Sequence, residues 1–558
     1  MPAESSSELK SLMTLDSELE IAAAKNSVKD KGSLVKSLLL GYWGAGSVLI
    51  FLIVVIILQA ASGAYKSEFS SYPDEPSHYV TSLMLRDYLA HFHFESPIKF
   101  AEDYYHHYPK VAFGHWPPFF YVAQALWMLL FSASRASVRL EIACTTALLA
   151  YAVFLEARQW FGWKLGFWAG VLTVCLPLMQ TYSDEEMAES LLTLTCLWST
   201  VFFARYLSSE RWRDSILFGV FFSLAVLTKG SGWLLAIVPP ITIVLTRKWR
   251  VLRRLSFWVP FALICILCVP WQLMTIRLAE RGWDGGSKPS LSYTLTALLG
   301  FIKFFPQILG PVLLTLMLVG IVALILGPLI RGRVPANVSA MFALLLGVWI
   351  FHSLVPAGVE DRKLVIAVPA MVLFTLGGVV WAANQIPQRS ILFERRWMLV
   401  GGLTAISFFV GPFYVPRIQH YGFIEAAHFL TTRPELKYAT ILVSSEAGGE
   451  GMLVSEVAMR EPRPSNVIIR GTKSLASMEW NAAHYRSFYS SPTEILRYLE
   501  DEKIQVVVMD NFAPQVRFPH NDLLRETIQQ GKRFRLLSTF PDRSFKPTGE
   551  VYVYQFEP

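Results

Sequence analysis

Val48-Leu49-Ile50-Phe51-Leu52-Ile53-Val54-Val55-Ile56-Ile57-Leu58 is an uninterrupted apolar stretch without a charge. It sits inside a run over about 42–62, close to the ~20 residues that a helix needs to cross the hydrocarbon of a bilayer. The run is too long and too far from the start for an ordinary signal peptide, although Ala60-Ala61-Ser62 mimics a cleavage site. It reads as a retained spanning helix. Further apolar runs follow at roughly 138–157, 165–183, 187–207, 214–228, 231–246, 255–275, 307–330, 337–356, 363–384 and 397–415. The expectation is a polytopic α-helical membrane protein with about eleven transmembrane helices.

Composition agrees. Of 558 residues, 53% are hydrophobic and only 17% charged, where a soluble domain carries about 25%. Mean hydropathy is +0.40. A disordered chain, a coiled coil, a collagen and a cytosolic enzyme are excluded. The net charge of +7 does not point to nucleic acid, because the basic residues lie between apolar runs and report topology instead. The five cysteines, Cys144, Cys175, Cys196, Cys265 and Cys268, all lie in apolar runs. That excludes a disulfide framework and a zinc ribbon. Cys265 and Cys268 read as packed small residues, not as a redox pair.

The runs at 214–228 and 231–246 are short, and one kinked span would reverse everything after them. The basic residues decide. With eleven spans and the N-terminus inside, the short cytoplasmic linkers hold fifteen Lys and Arg against seven in the short outward ones. The run Arg247-Lys248-Trp249-Arg250-Val251-Leu252-Arg253-Arg254 is the strongest anchor. The chain then reads as a multi-pass protein of the inner or plasma membrane, divided in three. Residues 1–40 form a polar, disordered cytoplasmic tail. Residues 41–416 form the transmembrane part, with a large external loop at 63–137. Residues 417–558 form an external, periplasmic α/β domain, in which β-like runs alternate with helical patterns. In the loop, Pro117-Pro118 starts an amphiphilic helix that lies along the membrane surface. Gly448-Gly449-Glu450-Gly451 follows the first C-terminal strand, where parallel nucleotide-binding sheets hold phosphates. It lacks G-x-G-x-x-G spacing and an acidic partner, so a plain turn is expected.

Two acidic clusters carry the candidate chemistry. The first is Tyr72-Pro73-Asp74-Glu75-Pro76-Ser77-His78-Tyr79. On a helix starting near Asp74, His78 sits one turn on and faces the same side. Such a set can act as a general base, bind a divalent cation, or both; it also suits a helix start, where acids are favoured. The second is Ser183-Asp184-Glu185-Glu186-Met187-Ala188-Glu189, four carboxylates at a hydrocarbon boundary, where charge is costly and marks function. Glu185 and Glu189 are spaced to share a helix face. Both clusters fall on the same side of the membrane. His115, the pair His106-His107, Lys229 at a helix junction and Arg362 in Glu360-Asp361-Arg362-Lys363 are further candidates. Arg362 can pair with a phosphate at headgroup level or snorkel at the interface.

Over about 40–385 the sequence resembles the GT-C class of integral-membrane glycosyltransferases, in the lineage of protein O-mannosyltransferases and the lipid A aminoarabinose transferase. Asp74-Glu75 is similar to the acidic pair of that class's first external loop. His115-Trp116-Pro117-Pro118-Phe119-Phe120-Tyr121 resembles its Pro-Pro segment before a juxtamembrane helix. Leu178 to Leu192 resembles the stretch holding the second acid, and Arg362 to Pro369 the late Arg-Leu-x-x-x-x-Pro segment. The second acid is usually Asp preceded by Arg; here Glu189 takes that position and Asp184 stands nearer the usual Arg. His115 stands where relatives often carry a basic residue.

The resemblance implies transfer of a hexosyl or pentosyl unit from a polyprenyl-phosphate donor to a hydroxyl of a lipid, polysaccharide or protein acceptor on the outer face. It implies Asp74 as base, Glu75 as the residue that orients the acceptor or a divalent ion (Mg or Mn, held by Asp74 and Glu75), and Glu189 as the completing acid. His78, His115, Asp184 and Glu185 would contact substrate, and Lys229 and Arg362 the phosphate. A transporter or lipid flippase is the alternative, since it too would place acids and an Arg near a membrane cavity; no internal repeat supports it.

Overall fold

The apolar runs become helices in the expected order in the computed structural model, which describes residues 44–69, 72–91, 96–281, 289–385, 395–415, 417, 419–478, 484–512, 518–544 and 546–557. The tail expected over 1–40 lies outside the described residues. Among the described residues, seven helices are long and apolar enough to cross a membrane: Gly44–Ser62, Arg135–Phe161, Glu189–Ser209, Leu255–Ile276, Leu291–Ile330, Ala336–Leu354 and Asp361–Asn384. The bent pair Trp163–Cys175 and Pro177–Asp184, which turns by 60°, makes an eighth if counted as one span. These helices do not confirm the exact count of about eleven. Pro177 has no N–H to continue the first helix, and Leu176 before it is extended. Trp212–Thr228, Gly230–Thr246 and Met398–Ser407 stop short of a full span.

Two devices shape the bundle. Leu291–Ile330 bends where Gly310, at φ 68°, precedes Pro311. Higher up, Gly320 and Gly378 let two helices meet backbone to backbone: a Cβ on Gly320 would collide with the Phe374 carbonyl, and one on Gly378 with the Leu316 carbonyl. The cysteines are free, and Cys268 is packed against the Ser223 carbonyl.

The C-terminal region folds around a sheet. Its strands are β1 (Thr440–Ser444), β2 (Val467–Arg470), β3 (Ala476–Ser477), β4 (Arg486–Ser487), β5 (Val506–Asp510), β6 (Phe534–Pro541) and β7 (Glu550–Phe556). Five of them form one sheet in the order β2-β1-β5-β7-β6, and β3 pairs only with β4. β1 is parallel to β2 and β5, while β7 runs antiparallel to β5 and β6. β1 and β5 are buried along nearly their whole length, as strands covered on both faces are. The segment Gly448-Gly449-Glu450-Gly451 is not the expected turn. It forms the first part of the helix Ala447–Arg460.

This region and the first loop fold as one body. Tyr79, Tyr104 and Tyr108 from the loop share a core with Phe423, Leu453, Val457 and Val553. Arg135 pairs with Glu456 at 2.6 Å. The Tyr108 hydroxyl donates to Glu461. Glu68, fully buried, accepts the backbone N–H groups of Tyr421 and Gly422, each at 3.0 Å. The basic run 247–254 lies at the other end of the bundle. Glu189–Ser209 starts beside the loop and ends at Glu210, which pairs with Arg254; its 21 residues span about 30 Å.

Candidate active site

The helix Glu75–His91 begins directly after Asp74, whose carbonyl accepts the His78 N–H at 2.9 Å. Asp74 therefore stands at a positive helix end with its carboxylate half-exposed. Arg362 Nη1 donates to it at 3.3 Å. Arg362 also holds Glu360 at 2.5 Å and lies over the Tyr72 ring, 4.4 Å from its centroid. Tyr72 in turn donates to Glu360 at 3.1 Å. The tight 3-10 turn Asp361–Ala367 that opens the last long span carries Arg362 into this cluster.

Glu75 points the other way. It is fully buried against Arg139, at 2.9 Å, and accepts the Glu186 N–H at 2.6 Å. Gln59 secures this layer by donating to the carbonyls of Arg139 and Ser183 at 3.2 and 2.7 Å. Gln124 donates to Glu186. Asp184, Glu185 and Glu186 are buried here and feel the Arg139 charge.

A cavity of about 470 Å³ opens beside the Asp74–Arg362 pair. Its polar lining includes His115, Glu189, Lys229, His352, Arg362 and Lys363, and its apolar wall includes Trp116 and Trp271. Lys229 donates to Glu189. Lys363 is turned toward the carbonyls of Ala357 and Gly358. Trp271 lies on Leu255–Ile276, a helix that exposes Leu273 and Met274 on its outer face by 70% and 72%. One wall of the cavity is therefore a helix suited to lipid contact.

The candidate residues divide accordingly. His115, Glu189, Lys229 and Arg362 line the cavity, and Asp74 reaches its rim through Arg362. Glu75, Asp184 and Glu185 belong to the ion-paired layer behind it. His78 does not face the cavity. Its ring lies 4.6 Å from that of Trp116, and Nδ1 meets the Tyr121 hydroxyl at 3.2 Å. Burial pushes the His78 imidazole down to about 4 and lowers that of His115, so neither supplies positive charge at neutral pH. Glu185 and Glu189 do not share a helix face either: Glu185 is extended, and a new helix begins at Glu189. Arg139 and His352 were missed in the sequence reading. Each is an ionisable residue inside an apolar run, and that alone is a signal of function or pairing.

Asp74 and Glu75 do not fit a shared divalent ion. Each is committed to a different guanidinium, and they face different compartments of the site. Among the described residues, one group of three acidic or histidine side chains has its donor atoms within 4.8 Å of one another: Glu68, His420 and Glu425, at the joint between the loop and the C-terminal region.

Residues 115–273 match a family model described as dolichyl-phosphate-mannose-protein mannosyltransferase. No curated protein sequence matches significantly. Solved structures match in fold. ArnT from Cupriavidus metallidurans, solved bound to undecaprenyl phosphate, is 14% identical with a TM-score of 0.56, over 91% of this chain and 98% of that one. The archaeal oligosaccharyltransferase AglB from Archaeoglobus fulgidus, in complex with an inhibitory peptide and a dolichol-phosphate, is 13% identical with a TM-score of 0.56, over 84% and 69%. The arabinofuranosyltransferase AftD from Mycobacteria is 13% identical with a TM-score of 0.50, over 92% of this chain and 41% of that one.

Proposed function

We propose that this chain, a membrane protein with the GT-C fold, is a glycosyltransferase that moves a sugar from a polyprenyl-phosphate carrier to an acceptor hydroxyl. The observation that carries the reading is the half-exposed Asp74 carboxylate held beside a cavity that gathers Arg362, Lys229 and Lys363 next to a lipid-facing helix. ArnT and AglB, solved with lipid phosphates, support a donor of that kind. The fold does not favour the transporter or flippase alternative.

The chemistry follows from the parts. The acceptor oxygen attacks the anomeric carbon while Asp74 takes its proton. The bond between that carbon and the phosphate oxygen breaks, and its electron pair leaves with the lipid phosphate. Arg362 and Lys229 stabilise the charge that develops there. In the pair, Asp74 is engaged by Arg362. A donor phosphate that draws on the guanidinium loosens the pair and leaves the carboxylate free to accept a proton. Glu189 keeps Lys229 in place at the cavity wall. The hydrocarbon tail leaves along Leu255–Ile276. The excess of Lys and Arg at the far end of the bundle favours an outward-facing site.

The test is transfer in vesicles supplied with a lipid-linked sugar. Asp74→Asn should lower the rate by about 10²–10⁴, the range of general acid–base catalysis, while donor binding is kept. Near wild-type transfer by this variant would reject Asp74 as the base.

A further inference from the structure

β1 and β5 run parallel and end side by side. Beyond their carboxyl ends lies a second cavity, of about 560 Å³, at the place where open α/β sheets receive ligands. The transfer chemistry above makes no use of it. Its lining combines aromatic faces, Tyr421 and Phe512, with the polar side chains of Ser445, Glu446, Asp510 and Asn521. The two rings meet edge to face, 5.1 Å between centroids. Asp510 is the last residue of β5, and its Oδ2 is shut off from solvent without a hydrogen-bond partner. A buried acceptor left unmatched is expensive unless something donates to it.

The charges argue against an anionic ligand. A phosphate would meet Glu446 at the start of Ala447–Arg460 and Asp510 across from it. Arg525, the one cation among the described lining residues, is held by Asp522 at 3.0 Å and by the Asp510 carbonyl at 3.2 Å. Glu450, in the Gly-rich segment, is itself tied to Arg470 at 2.9 Å. A neutral polyol meets none of these objections. Its hydroxyls donate to carboxylates, and its C–H faces lie against aromatic rings. We propose that this cavity binds a glycosyl unit of a carbohydrate. Burial raises Glu446 and pushes Asp510 up to about 6; hydroxyl donors would favour the ionised carboxylates and oppose those shifts.

The cavity is connected to the loop that carries Asp74. Gly449 and Met452 of Ala447–Arg460 line it. Gly451, between them, faces the loop so closely that a Cβ there would stand 2.8 Å from Pro76. One helix thus touches both the cavity and the residues next to Asp74. That the bound glycan is the acceptor rests on the transferase reading; the binding itself does not.

Saturation-transfer NMR on the full-length protein in detergent tests the site, with methyl glycosides of a hexopyranose, a pentofuranose and an N-acetylhexosamine as probes. At least one probe should bind. Asp510→Asn should weaken it by about 10-fold or more, the scale of a lost hydrogen bond to a charged group. Glu446→Gln should act in the same direction, both variants keeping the wild-type unfolding temperature. Arg362→Ala, which alters the membrane cavity, should leave the signal unchanged. The proposal is overturned if no probe binds, if Asp510→Asn and Glu446→Gln bind as wild type, if the signal is lost in Arg362→Ala instead, or if inorganic phosphate displaces the glycoside. Glycoside binding that persists in a protein without transfer activity would remove the acceptor role and leave the carbohydrate site standing.

Discussion

Asp74 meets Arg362 at 3.3 Å in a half-exposed gap, and Glu75 meets Arg139 at 2.9 Å with no exposure at all. Neutralising one member of a buried pair strands the other charge, which costs about 3–5 kcal/mol. Glu75→Gln should therefore lower the unfolding temperature, while the fraction that folds keeps its donor affinity. Adding Arg139→Met should restore much of the stability; circular dichroism melts in detergent decide. Arg362→Ala should show the reverse profile. Its fold should persist and donor binding should weaken by about 1–3 kcal/mol, the value of a charge-assisted hydrogen bond, as read by displacement of a labelled lipid phosphate. The sequence reading assigned Asp74 and Glu75 different roles but put both at the reacting groups. Which acid turns inward depends on Arg139, on another helix, and no local pattern encodes that choice. The cation role of Arg362 was easier to see, because a Glu-Asp-Arg-Lys run opening an apolar helix already suggests a headgroup-level site.

The joint between loop and C-terminal region depends on protons. His420 donates to Glu425 at 3.0 Å and lies 3.9 Å from Glu68. The Glu425 hydrogen bond raises the imidazole above its usual value, and burial raises Glu68. At His420 the folded joint keeps its proton to higher pH than the unfolded chain does, while Glu425, lowered by the same hydrogen bond, gives its proton up at lower pH. The histidine's contribution is complete below its unfolded value of about 6.5 and declines as pH rises through the higher folded value, whereas that of Glu425 falls away in acid. Hydrogen exchange at the amides of Tyr421 and Gly422, corrected for intrinsic rate, should lose protection as the pH is raised above about 6.5. His420→Gln should flatten that dependence. At this scale much was legible. Alternation of apolar runs with polar helical faces marked β1, β5 and β7, and Pro118 marked the start of Phe119–Leu130. What failed were breaks inside apolar stretches. The 60° bend comes from Pro177 and the extended residue before it, and the restart at Glu189 follows an extended Glu185; hydropathy is blind to both.

For the whole molecule, the prediction is orientation. Alkaline phosphatase fused after residue 420 should be active and green fluorescent protein there dark if the Lys and Arg bias, counted over eleven spans, reports the orientation; the opposite result would turn the site toward the cytoplasm. The GT-C fold was legible from ordered landmarks: an acidic pair after the first span, a Pro-Pro segment, a second acidic cluster and a late Arg. The docking of the C-terminal region onto the first loop was not. Its contacts, such as Tyr108 with Glu461 and Arg135 with Glu456, join residues from opposite ends of the chain. That shared core also imposes a timetable on synthesis. The loop ends at about residue 137 and its partner begins near 420, so at 5–20 residues per second the ribosome leaves the loop waiting for roughly 15–60 s. During that interval its tyrosine-lined face is bare, and until residue 362 is made Asp74 also lacks Arg362. A chain that stalls midway carries an unfinished site and an uncovered apolar surface.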